Sequence, residues 1–487
     1  MSSDLKHKFR RGVRWSFAGA VGSASFQFLQ TLVFARLAGP AAAGDYALAA
    51  TITGFLTPLA EAGLSQAVVQ AETLHPRQLA TLAWVNFGLG IAVFGVLWWS
   101  SAALAGWYGR PDLEGLLPLM GLSLLAMPFG ASSGGLMVRE FRFNAIARIE
   151  ILASAAGFLA LSALASMGWG VWAMASAFLS RQAVVALANF WHMRRTVQID
   201  WFRPATLRSV WPHVRFGSFD VAARWSDFLA NYLDKLIVGK WLGATALGYY
   251  NLAFTLCVLP TARLGYLVTR VSFPVFARMR HDNIALRFFF QQTARDLILL
   301  LFPVYLGLAL FSTELIVLFY GRAWLPAAPL VTAFAVGGWV RSLNALFPQL
   351  TKGTGKPQLL MGWMLLWTLA VNLALAVFLL VVPSVESAAW SRVAAKYSVE
   401  LALLFWLARA CGVAFGPVLK YAARVLGYLL PVACAVLLVS FLNTGFYWNL
   451  IFKAAMFATG LSWIGWGTAL RTDLLAKSRS WRRRDRD

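Results

Sequence analysis

Long apolar segments separated by short polar connectors run through the whole chain. Each segment contains about twenty residues, the length that an α-helix needs to cross the hydrocarbon core of a bilayer. The pattern predicts fourteen membrane-spanning helices, at residues 13–36, 46–69, 80–104, 113–137, 148–167, 171–193, 216–242, 247–274, 289–311, 326–350, 358–382, 386–410, 421–442 and 447–469. The predicted fold class is therefore an all-α polytopic membrane protein.

Basic residues in the connectors predict the orientation of the chain. Every second connector is basic, whereas the connectors between them are short and nearly uncharged, apart from Arg110 and Arg322. Loops rich in lysine and arginine stay in the cytoplasm. The alternation therefore predicts that both termini are cytoplasmic and that the number of spans is even.

Polar residues interrupt the seventh predicted span. They recur at intervals of three or four residues: Asp220, Arg224, Asp227, Asn231, Asp234 and Lys235. This spacing places them on one face of a helix. An ionised group facing lipid costs about 2.5–3.5 kcal/mol, so the face is expected to border water or paired charges. Two interpretations are open: a polar transport cavity, and salt bridges from Asp220 to Arg224 to Asp227 that lock two helices together.

The composition agrees with a membrane protein. The 487 residues are 59% hydrophobic and 13% charged, which is too apolar for a soluble protein of this length. The net charge of +23 does not indicate nucleic-acid binding, because the basic residues lie in short clusters between apolar segments. Cys257, Cys411 and Cys434 have no paired spacing, so neither a disulfide framework nor a metal site is expected. Neither a cleavable signal peptide nor a soluble domain is predicted.

A short stretch near the start of the chain recurs 204 residues later. FARLAGPAAAGDYALA aligns with VGKWLGATALGYYNLA, so that Gly39 and Gly44 correspond to Gly243 and Gly248. Six predicted spans separate the copies, which therefore enter the membrane in the same direction. The halves are predicted to be parallel repeats related by an axis along the membrane normal. The predicted parts are an N-terminal six-helix lobe at 1–205, a second at 206–412, an extra helix pair at 413–470 and a basic cytoplasmic tail at 471–487.

Four motifs resemble those of one transporter family. They are Ala35-Arg36-Leu37 with Gly44-Asp45-Tyr46, the run Glu61–Ser65, the run Arg139–Phe143, and Asn231–Gly239 with the following Gly248–Asn251. On these motifs the chain is similar to Wzx-type polysaccharide flippases, in the polysaccharide-transport branch of the MOP exporter superfamily. The resemblance covers roughly residues 10–410.

This resemblance implies two six-helix lobes around a central cationic cavity, in the inner membrane of a bacterium. It also implies a function: moving undecaprenyl-diphosphate-linked oligosaccharide from the cytoplasmic to the periplasmic leaflet for exopolysaccharide or O-antigen synthesis. A polysaccharide polymerase is an expected partner, and no cofactor is expected. The last two spans resemble the family's usual addition to a twelve-span core.

Fixed positive charge suits the diphosphate and any acidic sugar of such a substrate. One guanidinium group can donate two parallel hydrogen bonds to two oxygens of a phosphate. Arg224 and Arg263 are the first candidates. The other candidate substrate-binding residues are Lys235, Asn231, Arg270, Arg181, Arg392 and Lys396, with Arg341 as a further cation on span ten. An alternative for Lys396 is a pair with Glu400, four residues later on the same helix face, that merely satisfies itself.

Carboxylates inside the spans are candidates for ion coupling or gating, since burial in a partly dry cavity favours the protonated form. These candidates are Asp220, Asp227, Asp234 and Glu61. The pattern does not choose between proton and sodium antiport. Glu61 is alternatively an ordinary helix residue near the interface. Lys453, in the last span, is expected to extend its amine to the membrane surface.

The sequence contains no motif for chemistry on a substrate. The patterns H-E-x-x-H and the P-loop are absent, and the single match to G-x-S-x-G, at Gly130–Gly134, lies inside an apolar span and not between a strand and a helix. Without an ATP site, an ion gradient or consumption of the product must drive transport. Three alternatives to a polysaccharide flippase stay open: a MATE-like multidrug exporter, a lipid II flippase, and a membrane scaffold of a polysaccharide polymerase complex. A multidrug exporter would have a less cationic and more aromatic cavity.

Overall fold

A computed structural model describes residues 3–61, 76–139, 142–196, 205–265, 272, 275–440 and 446–466. Every regular element in these ranges is helical, as the apolar segments predict. Seven helices of the described part are long and apolar enough to cross a membrane. The protein is therefore an all-α membrane protein that crosses the bilayer several times. The chain forms two compact units, Met1–Asn251 and Leu252–Asp487.

The first unit contains six long helices and the first turns of a seventh. Their bounds are α1 Ser3–Glu61, α2 Pro76–Tyr108, α3 Asp112–Arg139, α4 Phe143–Ser166, α5 Val171–Thr196, α6 Leu207–Trp241 and α7 Gly243–Pro260. Helix α1 packs against α4, α2 packs against α3, and α5 packs against both α3 and α4. The seventh predicted span lies on α6, which packs on α1. The compact units consequently divide at Asn251 and not at residue 205, and the repeat-based lobes stay a prediction.

Helix α1 contains the first predicted span and residues 46–61 of the second, and the chain bends between the two at Gly39. The backbone there has φ 75° and ψ 178°, a conformation that residues with a Cβ rarely adopt. Gly243, the matching residue of the repeat, has φ 83° and separates α6 from α7. A Cβ at either position would meet no atom within 4 Å. The backbone angle, and not the available space, therefore requires glycine at both bends.

The second unit continues from α7 and includes nine further described helices. They are α8 Asn283–Leu310, α9 Ser312–Phe319, α10 Ala328–Asn344, α11 Phe347–Gly353, α12 Pro357–Val381, α13 Val385–Ala395, α14 Leu401–Ala410, α15 Gly416–Ser440 and α16 Phe446–Trp466. Helix α8 packs against both α10 and α15. Helix α13 packs against α10 and α12, and α16 packs against α15.

Three predicted spans of this unit are broken helices. Span eight changes from α7 to a π-helical turn, Thr261–Gly265, directly after Pro260. Span ten is divided into α10 and α11, and span twelve contains a second π-helical turn, Lys396–Glu400. Such turns occur often at functional sites. Apolar periodicity predicts continuous helices here, because a break of one turn leaves the run of apolar residues intact.

A buried ion pair connects α16, the last of the described helices, to α9. The amine of Lys453 on α16 donates to Oε1 of Glu314 on α9, and both residues are buried. The ring of Phe457, one turn further along α16, packs edge-on against Phe311. The prediction that Lys453 extends to the membrane surface is wrong, because a carboxylate inside the protein offers the amine a stronger partner than the interface does.

Candidate functional site

The two copies of the repeat pack against each other in the first unit, through glycines at matching positions. A Cβ on Gly44 would lie 1.7 Å from the carbonyl oxygen of Ala244, and a Cβ on Gly248 would lie 2.1 Å from that of Pro40. Pro40 and Ala244 are themselves matching residues of the repeat. Each copy of the repeat forms a helical hairpin: the first bends at Gly39 inside α1, and the second bends at Gly243 between α6 and α7. The contact between the two hairpins is therefore reciprocal, as expected for like elements related by an approximate two-fold axis.

Asp234 and Lys235 of α6 are buried against the second of these hairpins, with 1% and 6% of their surface exposed. The hydroxyl of Tyr250 donates to Oδ2 of Asp234 at 2.6 Å, and Nζ of Lys235 donates to Oδ1 of Asn251 at 2.7 Å. The charges at this end of the polar face are thus satisfied by protein side chains in a packed contact. The roles of both residues in binding and coupling stay predictions.

Arg224, earlier on α6, forms an ion pair with Glu61 at the end of α1. The distance from Nη1 to Oε2 is 2.9 Å, and the side chains are 36% and 22% exposed. The next residue, Trp225, donates its indole N–H to the backbone carbonyl oxygen of Phe55, and its ring stacks on the phenyl ring of Phe55. The structure therefore brings together one candidate for substrate binding and one for gating.

Breaking the ion pair between Glu61 and Arg224 is expected to change stability only slightly. Both side chains reach solvent, and such pairs contribute about 0–1 kcal/mol. Glu61→Gln and Arg224→Gln should therefore each lower the stability of the purified protein by about 1 kcal/mol or less in thermal unfolding. A much larger loss in both variants would contradict this and assign the pair a structural role.

Two further contacts connect the hairpins to the end of α2 and to the loop that follows it. Arg110 in this loop forms an ion pair with the buried Asp45 of the first hairpin, with Nε 2.7 Å from Oδ1. This hydrogen bond is the main reason that the pKa of Arg110 is raised above its ordinary value. Lys240 donates to the carbonyl oxygen of Trp107 and lies over its ring. Arg110 is one of the two exceptions to the rule that the connectors predicted to be periplasmic are nearly uncharged. Its ion pair with Asp45 explains why a basic residue lies there.

The structure describes three of the remaining candidates in or near this unit, Arg181, Asn231 and Arg263. Arg181 on α5 donates to Oε1 of its neighbour Gln182 at 3.0 Å. Asn231 lies on α6 with its side chain partly exposed. Arg263, in the π-helical turn that belongs to the second unit, is exposed. The side chains of Asp220 and Asp227, and the whole of Arg270, lie outside the described residues. The functions predicted for these residues stay predictions.

Three cations from two helices and a π-helical turn meet at one small cavity of the second unit. Arg341 comes from α10, Arg392 from α13, and Lys396 from the turn that follows α13. The other lining residues are Phe254, Cys257, Val258, Phe334, Gly337 and Val393. The centre of a water molecule can occupy about 10 Å³ of this cavity. The cavity therefore has room for about one water.

Aromatic rings hold the three cations in place. The Cζ atoms of Arg392 and Arg341 lie 4.8 and 5.3 Å from the centroid of the Phe254 ring. The amine of Lys396 lies 4.8 Å from the centroid of the Trp367 ring. Each such contact contributes about 0.5–2 kcal/mol. Two guanidinium groups on one ring also repel each other, so an anion placed between them would be strongly stabilised.

Glu400 brings a negative charge to this cluster. Its Oε2 is 2.5 Å from Nζ of Lys396, and its Oε1 accepts a hydrogen bond from Nδ2 of Asn344 at 2.9 Å. The carboxylate is fully buried. This confirms the predicted alternative of a pair between Lys396 and Glu400. Lys396, one of the three cations that line the cavity, is therefore paired with a carboxylate.

Sequence analysis missed the neutral residues of this cluster. Phe254 and Trp367 stand in apolar segments, where an aromatic side chain gives no sign that it contacts a cation. Asn344 follows Arg341 by three residues and so lies on the same face of α10. That spacing is a signal that was present in the sequence.

The chain matches the family described as "Polysaccharide biosynthesis protein" over residues 33–329. This segment is more than half of the 487 residues. The chain belongs to this family. Arg341, Arg392 and Lys396 lie C-terminal to the matched segment, so membership of the family does not by itself explain the cation cluster.

Relatives of known name extend the comparison. The lipopolysaccharide biosynthesis protein WzxC of Escherichia coli (strain K12) is 30% identical over 347 residues, 70% of this chain and 69% of that protein. The teichuronic acid biosynthesis protein TuaB of Bacillus subtilis (strain 168) is 29% identical over 314 residues. The matched segment is 64% of this chain and spans 64% of the length of the Bacillus protein. The succinoglycan biosynthesis transport protein ExoT of Rhizobium meliloti (strain 1021) is 24% identical over 367 residues, 75% and 73% of the two chains.

Solved structures establish the fold. The lipid II flippase MurJ in an inward closed conformation matches with a TM-score of 0.74 and 14% identity, over 95% of this chain and all of that one. An inward-facing multidrug resistance transporter of the MATE family and MOP superfamily matches with a TM-score of 0.65 and 13% identity, over 80% and 98% of the two chains. The protein has the fold of MOP-superfamily transporters.

Proposed function

We propose that the protein is a flippase that moves undecaprenyl-diphosphate-linked oligosaccharide from the cytoplasmic to the periplasmic leaflet of a bacterial inner membrane. Its family supports this substrate class, as do relatives named for the biosynthesis of lipopolysaccharide, teichuronic acid and succinoglycan. The fold of MOP-superfamily transporters supports a transport role. Such transport moves a molecule without making or breaking a covalent bond.

The grouping of three basic side chains at the cavity of the second unit carries this proposal. A diphosphate loses its hydration on entering the membrane, so a carrier must replace that water with fixed donors and charge. Arg341 and Arg392 offer guanidinium groups suited to phosphate oxygens, and Lys396 offers a compact charge. A positively charged drug would be repelled by the same three groups, which disfavours a multidrug exporter.

Alternating access also requires the hairpin contact of the first unit to open. The reciprocal glycine contact lies near connectors that the charge pattern predicts to be periplasmic, so release on that side requires the hairpins to separate. In the proposed cycle, Asp220, Asp227 and Asp234 bind the coupling ion, a proton or sodium, and a polysaccharide polymerase takes the product. Both termini stay in the cytoplasm.

Transport in proteoliposomes tests the proposal. The purified full-length protein is reconstituted with fluorescent undecaprenyl-diphosphate-linked oligosaccharide, and the label exposed on each leaflet is measured over time. Arg392→Gln is expected to slow translocation at least about tenfold, because a hydrogen bond to a charged group contributes about 1.5–3 kcal/mol. Arg322→Gln removes the same charge from an exposed site outside the cavity and should leave the rate unchanged.

Each alternative function has its own outcome in this assay. A scaffold would leave the label on its original leaflet in wild-type proteoliposomes. A lipid II flippase would move labelled lipid II but not the oligosaccharide-linked lipid. Equal rates for Arg392→Gln and wild type would overturn the role assigned to the cation cluster.

A further inference from the structure

Helices α8 and α15 begin side by side, at the membrane face that the charge alternation predicts to be cytoplasmic. They contain the ninth and thirteenth predicted spans, and odd-numbered spans run outward from the cytoplasm. Nε of Arg287, near the start of α8, donates to the carbonyl oxygen of Gly412 at 2.8 Å, four residues before α15 begins. The two helices also pack against each other. Their first turns are therefore expected at the level of the inner leaflet.

Arg295 lies on an exposed, apolar face of α8. It is six residues, about 9 Å, inside the ninth predicted span, and its side chain is exposed. Phe288 is seven residues earlier, within about 20° on the same face, and is 69% exposed. Leu299, one turn later, is partly exposed. The positive-inside rule explains basic residues in connectors, but not an arginine among apolar residues that face lipid, where a charge is costly.

The guanidinium group of Arg295 contacts α15. Its Cζ lies 5.1 Å from the centroid of the Tyr421 ring, and Tyr421 is only 8% exposed. A cation over an aromatic face is attracted to it, so the contact holds the side chain in the groove between the two helices. The ring is neutral, and the positive charge of Arg295 therefore stays available to an anion.

Two further cations follow on the exposed side of α15. Lys420 and Arg424 are both exposed, and their spacing of four residues places them on one face. Arg424 is three residues, or about one turn, beyond the Tyr421 that contacts Arg295. Leu438, fourteen residues after Arg424 and within about 40° of the same face, is 68% exposed. The face that carries the two cations therefore continues as a lipid-facing surface.

Acidic residues are few on these two helices. The described residues of α15, Gly416–Ser440, include none, and those of α8 include one, Asp296, next to Arg295. Arg295, Lys420 and Arg424 thus outnumber the carboxylates that α8 and α15 themselves provide. None of the three lines the cavity of the second unit, so the substrate site proposed above does not account for them.

We infer that Arg295, Lys420 and Arg424 bind the phosphate of an anionic phospholipid in the cytoplasmic leaflet. Guanidinium and ammonium groups suit phosphate oxygens, and the exposed apolar residues that continue both faces suit acyl chains. Basic pockets between membrane helices on the cytoplasmic side bind acidic headgroups in this way. The bound lipid bridges α8 and α15. This inference goes beyond the flippase function and does not depend on it.

Native mass spectrometry of the purified full-length protein, titrated with phosphatidylglycerol, tests the inference. Wild type should bind phosphatidylglycerol more tightly than phosphatidylcholine, whose head carries a phosphate but no net charge. Arg295→Gln and Arg424→Gln should each raise the Kd for phosphatidylglycerol about fivefold or more, the factor expected for one basic residue near an acidic lipid. Arg295→Lys keeps the charge and should stay close to wild type.

Arg280→Gln is the matched control. Arg280 is an exposed arginine in the connector before α8, on the same predicted side of the membrane but outside the proposed site. Its removal changes the net charge by the same amount and should leave the Kd for phosphatidylglycerol unchanged. If Arg295→Gln cannot be purified, Arg424→Gln carries the same expectation from the other helix.

Three results would overturn the inference. One is an unchanged Kd in the variants of Arg295 and Arg424. Another is an equal rise of the Kd in Arg280→Gln, which would show a general attraction to the basic surface. The third is displacement of phosphatidylglycerol by equimolar undecaprenyl diphosphate, which would assign the site to a lipid-linked substrate. A failure of transport in proteoliposomes would overturn the flippase function alone, because phospholipid binding is measured without transport.

Discussion

Replacing Gly44 with alanine is expected to destabilise the contact between the two hairpins by about 3 kcal/mol or more, at the upper end of the cost of overpacking. The new Cβ would lie 1.7 Å from the carbonyl oxygen of Ala244. Backbone atoms cannot rotate away as a flexible side chain can, so α1 and α7 must move apart. Gly248→Ala should have the same effect, because its Cβ meets the carbonyl oxygen of Pro40 at 2.1 Å.

Thermal unfolding and size-exclusion chromatography of the purified variants measure this effect. The controls are Gly88→Ala and Gly95→Ala on α2, where a Cβ would meet no atom within 4 Å. These two variants should keep the Tm and elution profile of wild type. A wild-type Tm for both Gly44→Ala and Gly248→Ala would show that the hairpins do not pack as described.

Replacing Lys453 with methionine is expected to cost about 3–5 kcal/mol, because it leaves the buried carboxylate of Glu314 without its cation. Glu314 is only 6% exposed, and water cannot substitute for the lost partner. The double variant Glu314→Gln/Lys453→Met removes both charges and should recover most of the lost stability. A buried pair contributes little by itself; the cost comes from the charge left behind.

A double-mutant cycle in thermal unfolding separates these contributions. The coupling between Glu314 and Lys453 should amount to several kcal/mol, whereas that between Glu61 and Arg224, which are partly exposed, should be about 1 kcal/mol or less. Additive effects of the single changes at Glu314 and Lys453 would contradict the buried pair. They would also show that this ion pair does not hold α16 against α9.

Much of the fold could be predicted because membrane helices follow simple rules. Most of the described helices overlap predicted spans, although α9 lies in the connector between spans nine and ten, and the two glycines that the repeat aligns, Gly39 and Gly243, both have positive φ. The breaks inside spans eight, ten and twelve could not be predicted from apolar patterning. They depend on neighbouring helices; for example, Tyr305 of α8 donates its hydroxyl to the carbonyl oxygen of Cys257, just before the first π-helical turn.

The site was only partly predictable, for a related reason. Charged residues within apolar segments mark candidates, and Arg392 and Lys396 were found in this way. Their grouping with Arg341 on α10 is a contact across 51 residues of chain or more, and no local pattern reports it. Likewise, the spacing of the polar face of α6 left open whether it borders water or paired charges, and only the fold shows that Tyr250 and Asn251 satisfy Asp234 and Lys235 in a packed contact.

By itself the sequence determined the membrane setting, the helical class, the duplication and the membership of a polysaccharide-export family, because hydropathy, charge alternation and repeated motifs are properties of the chain read in order. The tertiary structure alone decided which charges are paired and with which partners. Glu61, Glu314 and Glu400 look alike in the sequence. Each acquired its role from the cation that packing placed beside it, since electrostatic energy depends on distance in space and on burial.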